Sequence, residues 1–322
     1  MKDKILIFII VLLLSSIIYI NFSHILFKKS NPIATSQSKI KGATSNQEEY
    51  SFIKKQLDIP EKNSNYFEPN HIWSKSHILL DARSSQILSK KNEHERMPIA
   101  STTKIMTAII ALENYQLDDI VTISEKSSSQ IPYKIGLAIG EKITVRDLIY
   151  AILIRSGNDA AYALAEHMGY ENFIQKMNKK TEYLGLKNTY FKDPAGLDDE
   201  GYSTPYDLAH ITNYALKYEL FKEIINTQEK TISSIDGAHT HSFENSNRLI
   251  MPNEELYYQY STGGKTGFTY KAGRCMVNVS QKNNIILISV ILNTFEDSIY
   301  ASAKESKKLL EWGYYTHDWH NH

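Results

Sequence analysis

Apolar residues follow three different rhythms along this chain. From Ile5 to Ile20 they run almost unbroken, interrupted by Ser15, Ser16 and Tyr19, with a softer continuation to Phe27. A spanning helix needs about 20 such residues. No small-x-small cleavage pattern follows in Tyr19-Ile-Asn-Phe-Ser-His24, so the run reads as a retained N-terminal anchor rather than a cleaved leader. Lys2 and Lys4 on one side are matched by Lys28 and Lys29 on the other, so charge does not fix its orientation. Lys28 to about Asn65 is rich in Ser, Lys, Asn, Gln and Glu and reads as a flexible tether.

From Ile72 onward the pattern is that of a folded domain. His77-Ile-Leu-Leu-Asp81 and Gln86-Ile-Leu-Ser89, separated by Ala82-Arg-Ser-Ser85, predict a β-hairpin. Ile105, Met106, Ile109, Ile110 and Leu112 predict a helix that is apolar nearly all round and therefore buried. Between Ser124 and Tyr218 the spacing is mainly helical. Thr144-Val-Arg-Asp147 caps a helix running to Ile154, others cover Asp159 to His167 and Glu171 to Leu184, and Thr204-Pro205 starts a further one. The rhythm then shortens. Glu229 to Ile235, His239 to Glu244, Arg274 to Gln281 and Ile285 to Leu292 read as strands, the last apolar enough to be central. Ser298 to Trp312 closes the chain as an amphipathic helix. Strands at both ends of a helical run imply an α+β domain whose first and last segments share a sheet. The expected boundaries are a stub at 1–4, the apolar segment at 5–27, the tether at 28–66, the domain at 67–316 and a tail at 317–322.

Composition removes some alternatives. Thirty-six basic and 36 acidic residues cancel, so no global charge points to nucleic acid as a partner. Cys275 is the one cysteine, which excludes an intrachain disulfide. His239 and His241 share a strand face, and His317, His320 and His322 crowd the tail; surface strand and frayed terminus account for them better than a metal site. Tyr257, Tyr258 and Tyr260 suit either a substrate groove or packing at the domain edge. Gly264-Lys-Thr266 has the end of a phosphate-binding loop but Gln259 where the first glycine is required.

The chemistry concentrates in three short stretches. Ser101 and Lys104 stand three residues apart at the head of the apolar helix, a spacing that puts both side chains on one face. The same spacing at Ser36/Lys39, Ser38/Lys41 and Ser51/Lys54 falls in polar chain. Only Lys104 is carried into apolar surroundings, where burial and any nearby cation push its pKa down so that it accepts a proton from the serine. Ser156-Gly-Asn158 lies between two helices, and Lys265-Thr-Gly267-Phe268 opens the strand region behind glycines that allow close backbone approach.

The order SxxK, SxN, KTG resembles that of the penicillin-binding serine DD-peptidases, specifically the low-molecular-mass D-alanyl-D-alanine carboxypeptidases of peptidase family S11. Ile78-Leu-Leu-Asp-Ala82, Asp193-Pro-Ala-Gly-Leu197, Tyr202-Ser-Thr-Pro-Tyr-Asp-Leu208 and Lys271-Ala-Gly-Arg-Cys275 extend the likeness from about Ile72 to Gly313. The resemblance implies a β-lactamase/DD-peptidase-like fold with an antiparallel sheet and a mainly helical subdomain. It implies Ser101 as nucleophile, Lys104 as its base, Ser156 as proton relay to the leaving amine and Asn158 as the group holding substrate and Lys104. Lys265 supplies positive field and Thr266 binds the terminal carboxylate, with Gly267 completing the motif. The backbone N–H groups of Ser101 and Phe268 form the oxyanion hole. The implied substrate is the D-Ala-D-Ala terminus of peptidoglycan stem peptides, β-lactams are covalent inhibitors, and no metal or organic cofactor takes part. The implied location is the outer side of a bacterial cytoplasmic membrane, reached by export and held by the N-terminal segment, or the secreted state if that segment is cleaved. Two departures qualify the likeness: an arginine common before the last central strand is replaced at Ile286, and the chain stops soon after Trp312, where many members carry a further β-rich domain. Rival readings are a β-lactamase, whose Glu-x-x-Leu-Asn loop has no counterpart around Lys192-Asp-Pro-Ala-Gly196, and a penicillin-binding sensor or scaffold without turnover.

Overall fold

The computed structural model describes residues 59–63, 69, 71–296 and 298–319. The apolar segment at 5–27 and nearly all of the tether fall outside them. Among the described residues no helix is long and apolar enough to cross a membrane.

In chain order the elements are β1 (Glu61–Lys62), β2 (Ser74–Asp81), β3 (Ile87–Lys91), α1 (Lys104–Asn114), β4 (Ile120–Thr122), α2 (Glu125–Ser128), β5 (Lys142–Thr144) and α3 (Val145–Tyr150). After a π-helical turn at Ala151–Arg155 come α4 (Asn158–His167), α5 (Tyr170–Tyr183), α6 (Pro205–Ala215), α7 (Glu219–Asn226), β6 (Glu229–Ser233) and β7 (Thr240–Glu244). The last elements are β8 (Ser261–Thr269), β9 (Gly273–Lys282), β10 (Ile285–Thr294), α8 (Ala301–Thr316) and β11 (His317–Asp318).

A five-stranded antiparallel sheet in the order β3-β2-β10-β9-β8 joins the two ends of the domain, so the α+β arrangement inferred from the strand positions is the one found. β10 lies at its centre and alternates between two cores. Ile288, Val290 and Leu292 face the helices, whereas Leu287 and Ile291 face α8. A strand buried on both faces has no polar period, which is why its sequence is almost wholly apolar. β8 is an edge strand, and the 3-10 turn that precedes α1 packs against it at Gly267.

The helical predictions hold with local changes. Thr144 and Thr204 accept the N–H groups of Asp147 and Asp207 at 3.1 and 3.0 Å, and Pro205 occupies the first turn of α6. The helix expected to run to Ile154 gives way after Tyr150 to the π turn. The two-stranded ladder β4-β5, absent from the sequence reading and interrupted by α2, and the β6-β7 hairpin stand apart from the main sheet.

The edges of the domain differ from expectation. Glu61 and Lys62, assigned to the tether, pair with Asp318 and His317, assigned to the tail. His317 is buried, its ring edge-on to Trp312 at 5.2 Å, rather than part of a frayed terminus.

Candidate active site

The site is assembled from α1, the α3–α4 junction, the 193–198 loop and β8. Pro98 and Ile99 lead into a 3-10 turn, Ala100–Thr103, that precedes α1. Ala100 itself takes φ +47°, and Ser156 takes φ +68°, so both functional serines stand at or beside a backbone conformation that L-residues seldom adopt. The π turn at Ala151–Arg155 ends at Ser156 and turns that hydroxyl toward the cleft.

Lys104 is fully buried at the head of α1. Its Nζ lies 2.9 Å from Ser101 Oγ, 2.7 Å from Asn158 Oδ1 and 2.7 Å from the Ala195 carbonyl oxygen. Asn158 Nδ2 donates to the Pro132 carbonyl, which fixes the amide so that its oxygen faces the lysine. Asn158 Oδ1 and Ala195 O are pure acceptors. A neutral amine has two N–H donors and one lone pair, so satisfying both acceptors leaves the lone pair for the Ser101 hydroxyl proton.

Burial lowers the Lys104 pKa to about 7, and the carboxylates of Asp193 and Asp159 oppose that shift from a distance. Lys265, also fully buried, is pushed well below the ordinary lysine range by burial first and by the charge of Lys104 second. The expectation was that burial and the like charge of Lys265 would together depress Lys104, and the burial part is what is found. The like-charge effect instead falls on Lys265, and desolvation accounts for Lys104. Two buried amines so close to each other disfavour simultaneous protonation.

Two carboxylates that the sequence reading left without a role hold the frame. Asp193 accepts the N–H groups of Ala195, Gly196 and Asp198 at 2.6, 2.7 and 2.7 Å, folding the loop that aims the Ala195 carbonyl at Lys104. Asp159 accepts those of Ile135, Gly136 and Leu137 at 3.2, 2.9 and 3.1 Å, fixing the segment that brings Pro132 to Asn158 and Tyr133 to the cleft. The available signal was an aspartate heading a short Pro/Gly loop, the composition of a side-chain-closed turn. Gly196 has φ +74°, and a Cβ there would lie 1.9 Å from the Ala100 carbonyl oxygen, so only glycine lets this loop reach the nucleophile's turn.

On the opposite wall, Gly267 passes so near that its Cβ would be 3.0 Å from the Ser101 nitrogen. Thr266 Oγ1 is 2.8 Å from Ser246 Oγ, and Lys265 Nζ donates to the Thr266 carbonyl at 2.8 Å. Ser246 was not singled out in the sequence. It sits between Asn245 and Asn247, and Asn247 donates to Asn278 Oδ1 on β9, which also accepts from Ser261.

Ser101, Ser156, Thr266, Gly267 and Phe268 thus line one cleft of about 220 Å³, together with Tyr133, Arg155, Ser246, Arg248 and Arg274. Lys104, Asn158 and Lys265 lie buried beneath it. Arg274 stacks over the Phe268 ring at 4.0 Å, and Arg248 is paired with Glu254. Among the described residues lining the cleft none is a carboxylate, so its field is cationic. Ile286, taken from the sequence as the place of a missing arginine, lies elsewhere: it borders a different hollow beside Ala82 and Arg83 at the far end of β10. The substitution there therefore leaves the cleft untouched, since its arginines come from β9 and from the segments before β8 and α4. Tyr257, Tyr258 and Tyr260 gather beside Lys307 and Tyr314 of α8 and belong to the domain edge. His241 binds buried Glu141 at 2.9 Å, and no cluster of potential metal ligands occurs among the described residues.

A family model described as D-alanyl-D-alanine carboxypeptidase matches residues 63–296. The D-alanyl-D-alanine carboxypeptidase DacF of Bacillus subtilis is 38% identical over 226 residues, 68% of this chain and 57% of that protein. The D-alanyl-D-alanine endopeptidase of Pseudomonas aeruginosa is 32% identical over 248 residues, covering 76% of this chain and 79% of that protein. The crystal structure of the Streptomyces K15 DD-transpeptidase superposes with a TM-score of 0.72 at 30% identity, over 77% of this chain and 100% of the other. This chain therefore spans little more than half the length of the Bacillus relative and essentially all of the Streptomyces one.

Proposed function

This chain belongs to the S11 family of serine D-alanyl-D-alanine carboxypeptidases, and from that membership we propose that it removes the terminal D-alanine from peptidoglycan stem peptides through an acyl-enzyme on Ser101. The observation that carries the reading is the three-way contact of Lys104 with Ser101, Asn158 and Ala195. It makes a buried, neutral amine the acceptor of the serine proton.

In the proposed reaction the substrate lies along the free edge of β8 and its terminal carboxylate enters the cationic end of the cleft at Thr266. Ser101 Oγ attacks the penultimate carbonyl as its proton passes to Lys104. The N–H groups of Ser101 and Phe268 take the oxyanion, a contribution of about 3–4 kcal/mol for such a donor. Ser156 passes a proton to the leaving D-alanine amine, and water then hydrolyses the ester. A β-lactam enters the same cleft and acylates the same oxygen.

The absence of a carboxylate among the described cleft residues favours this reading over a β-lactamase. Asp193, the acid nearest in sequence to where such an enzyme places its deacylating glutamate, spends its oxygens on its own loop. Slow release of penicillin follows. Ser101→Ala should abolish D-alanine release from diacetyl-Lys-D-Ala-D-Ala, while rapid penicillin hydrolysis by the parent protein, or labelling without peptide turnover, would sink the reading. For location, the apolar run from Ile5 and a substrate that lies outside the cell support a retained anchor with the domain on the outer side of the cytoplasmic membrane.

A further inference from the structure

Tyr133 takes φ +57°, a positive value like those of Ala100 and Ser156, and it lines the cleft with more than half of its surface exposed. Asparagine enters this left-handed region readily, because its short polar side chain bonds locally; a bulky ring gains nothing there and crowds its own backbone. The backbone around it is held from several sides. Asn158 donates its N–H to the Tyr133 carbonyl at 2.9 Å and its Nδ2 to the Pro132 carbonyl, while the Asp159 carboxylate takes the N–H groups of Ile135, Gly136 and Leu137. None of these ties involves the tyrosine side chain, which makes no hydrogen bond, ion pair or ring contact among the described residues. An asparagine at this position would keep every one of them at lower cost. A strained residue that is clamped in place while its ring stands unpartnered in the reactive cleft marks a place where strain serves a ligand rather than the fold.

The two walls of the cleft show which part of the substrate meets that ring. Along β8 the terminal carboxylate lies at Thr266 and the reacting carbonyl at Phe268, so the acyl chain continues toward Tyr270. On the facing wall the leaving-group end is Ile154, whose carbonyl accepts the Ser246 N–H at 3.0 Å while Ser246 holds Thr266 at 2.8 Å. From there the chain runs through Arg155 and Ser156 to Asn158, the residue to which Tyr133 is tied. Tyr133 therefore stands toward the acyl side. The aromatic residues among those lining the cleft are Tyr133 and Phe268, one from each wall, and the Phe268 ring is already covered by Arg274 at 4.0 Å. A phenol ring buries apolar area against an aliphatic stem and keeps its hydroxyl in water.

We propose that Tyr133 is a specificity-determining residue of this site: its ring packs on the aliphatic side-chain stem of the residue that precedes the two D-alanines, and it selects peptides with a long side chain there over those with none. The proposal rests on the carboxypeptidase reading and deepens it.

The test measures D-alanine release by the full chain from diacetyl-Lys-D-Ala-D-Ala and from acetyl-Gly-D-Ala-D-Ala, which lacks the side chain. The parent is expected to show a KM about tenfold lower for the lysine peptide, the size of one well-packed aromatic contact. Tyr133→Asn is expected to raise that KM about tenfold with kcat within about twofold, and to move the glycine peptide's KM by less than about twofold. Tyr133→Phe keeps the ring and is expected to keep the preference. Because asparagine accepts a positive φ, Tyr133→Asn is also expected to melt about 2 °C or more above the parent, a direction that loss of a structural tyrosine would not give. Normal D-alanine release with the same ratio of KM values in parent and Tyr133→Asn overturns the assignment of the ring alone. Loss of the preference in Tyr133→Phe, or a Tyr133→Asn protein that melts below the parent, does the same. Failure of the parent to release D-alanine from either peptide overturns the carboxypeptidase reading and this proposal together.

Discussion

At the scale of residues, the reactive unit is a lysine whose neutral form is secured by burial and whose lone pair is aimed by two fixed acceptors. Lys104→Met keeps much of the apolar volume of the stem and removes the base. It should slow penicillin acylation by about a thousandfold, within the span general bases contribute, with thermal unfolding close to that of the parent; acylation at the parent rate would show that another group takes the proton. The Ser101/Lys104 pair was legible because an i, i+3 spacing on a helix dictates contact. Asp159 and Asp193 were not, because their partners are backbone N–H groups that become neighbours only once the loops are folded. Arg155, Arg248 and Arg274 converge from three separate segments; Arg274 falls in the family-like 271–275 stretch, but linear spacing places none of the three at the cleft.

At the scale of elements, long periodic segments announced themselves and short ones did not. β10 and α5 were readable because an unbroken apolar run and a 3.6-residue stripe each have one structural solution. The π turn after Tyr150, the three-residue strands β4 and β5, and the two-residue ladder at Glu61–Lys62 lack the length to build a pattern. The 193–198 loop illustrates how much a short element matters. With φ +74° and the Ala100 carbonyl in the way, Gly196→Ala has to push the loop from the nucleophile's turn. It should destabilise the domain by about 2 kcal/mol or more and lower the acylation rate by at least about tenfold through displacement of Ala195. Urea unfolding and penicillin labelling check both effects, and an unchanged labelling rate would mean that the loop does not position Lys104.

At the scale of the whole molecule, β2 and β3 near the start of the domain and β8, β9 and β10 near its end close one sheet, so residues more than 150 positions apart in sequence frame a single cleft: Ser101 from one side, Thr266 from the other. That closure extends to the chain's end, where β11 and the buried His317 ring cover Trp312. Removing residues 317–322 should cost about 1–3 kcal/mol in urea unfolding and leave D-alanine release unchanged, because these groups are remote from the cleft; an unaltered unfolding midpoint would show that the ladder contributes nothing. The central claim is that Ser101 is acylated because burial leaves a substantial fraction of Lys104 neutral near pH 7, and intact-mass measurement of penicillin acylation from pH 5 to 9 tests it most directly. Burial lowers the lysine to about 7, so its neutral fraction, and with it the rate, should climb about tenfold per pH unit below that value and level off above it. The added mass should map to the tryptic peptide 97–104. An adduct on another peptide, or a rate indifferent to pH across that range, would contradict the account.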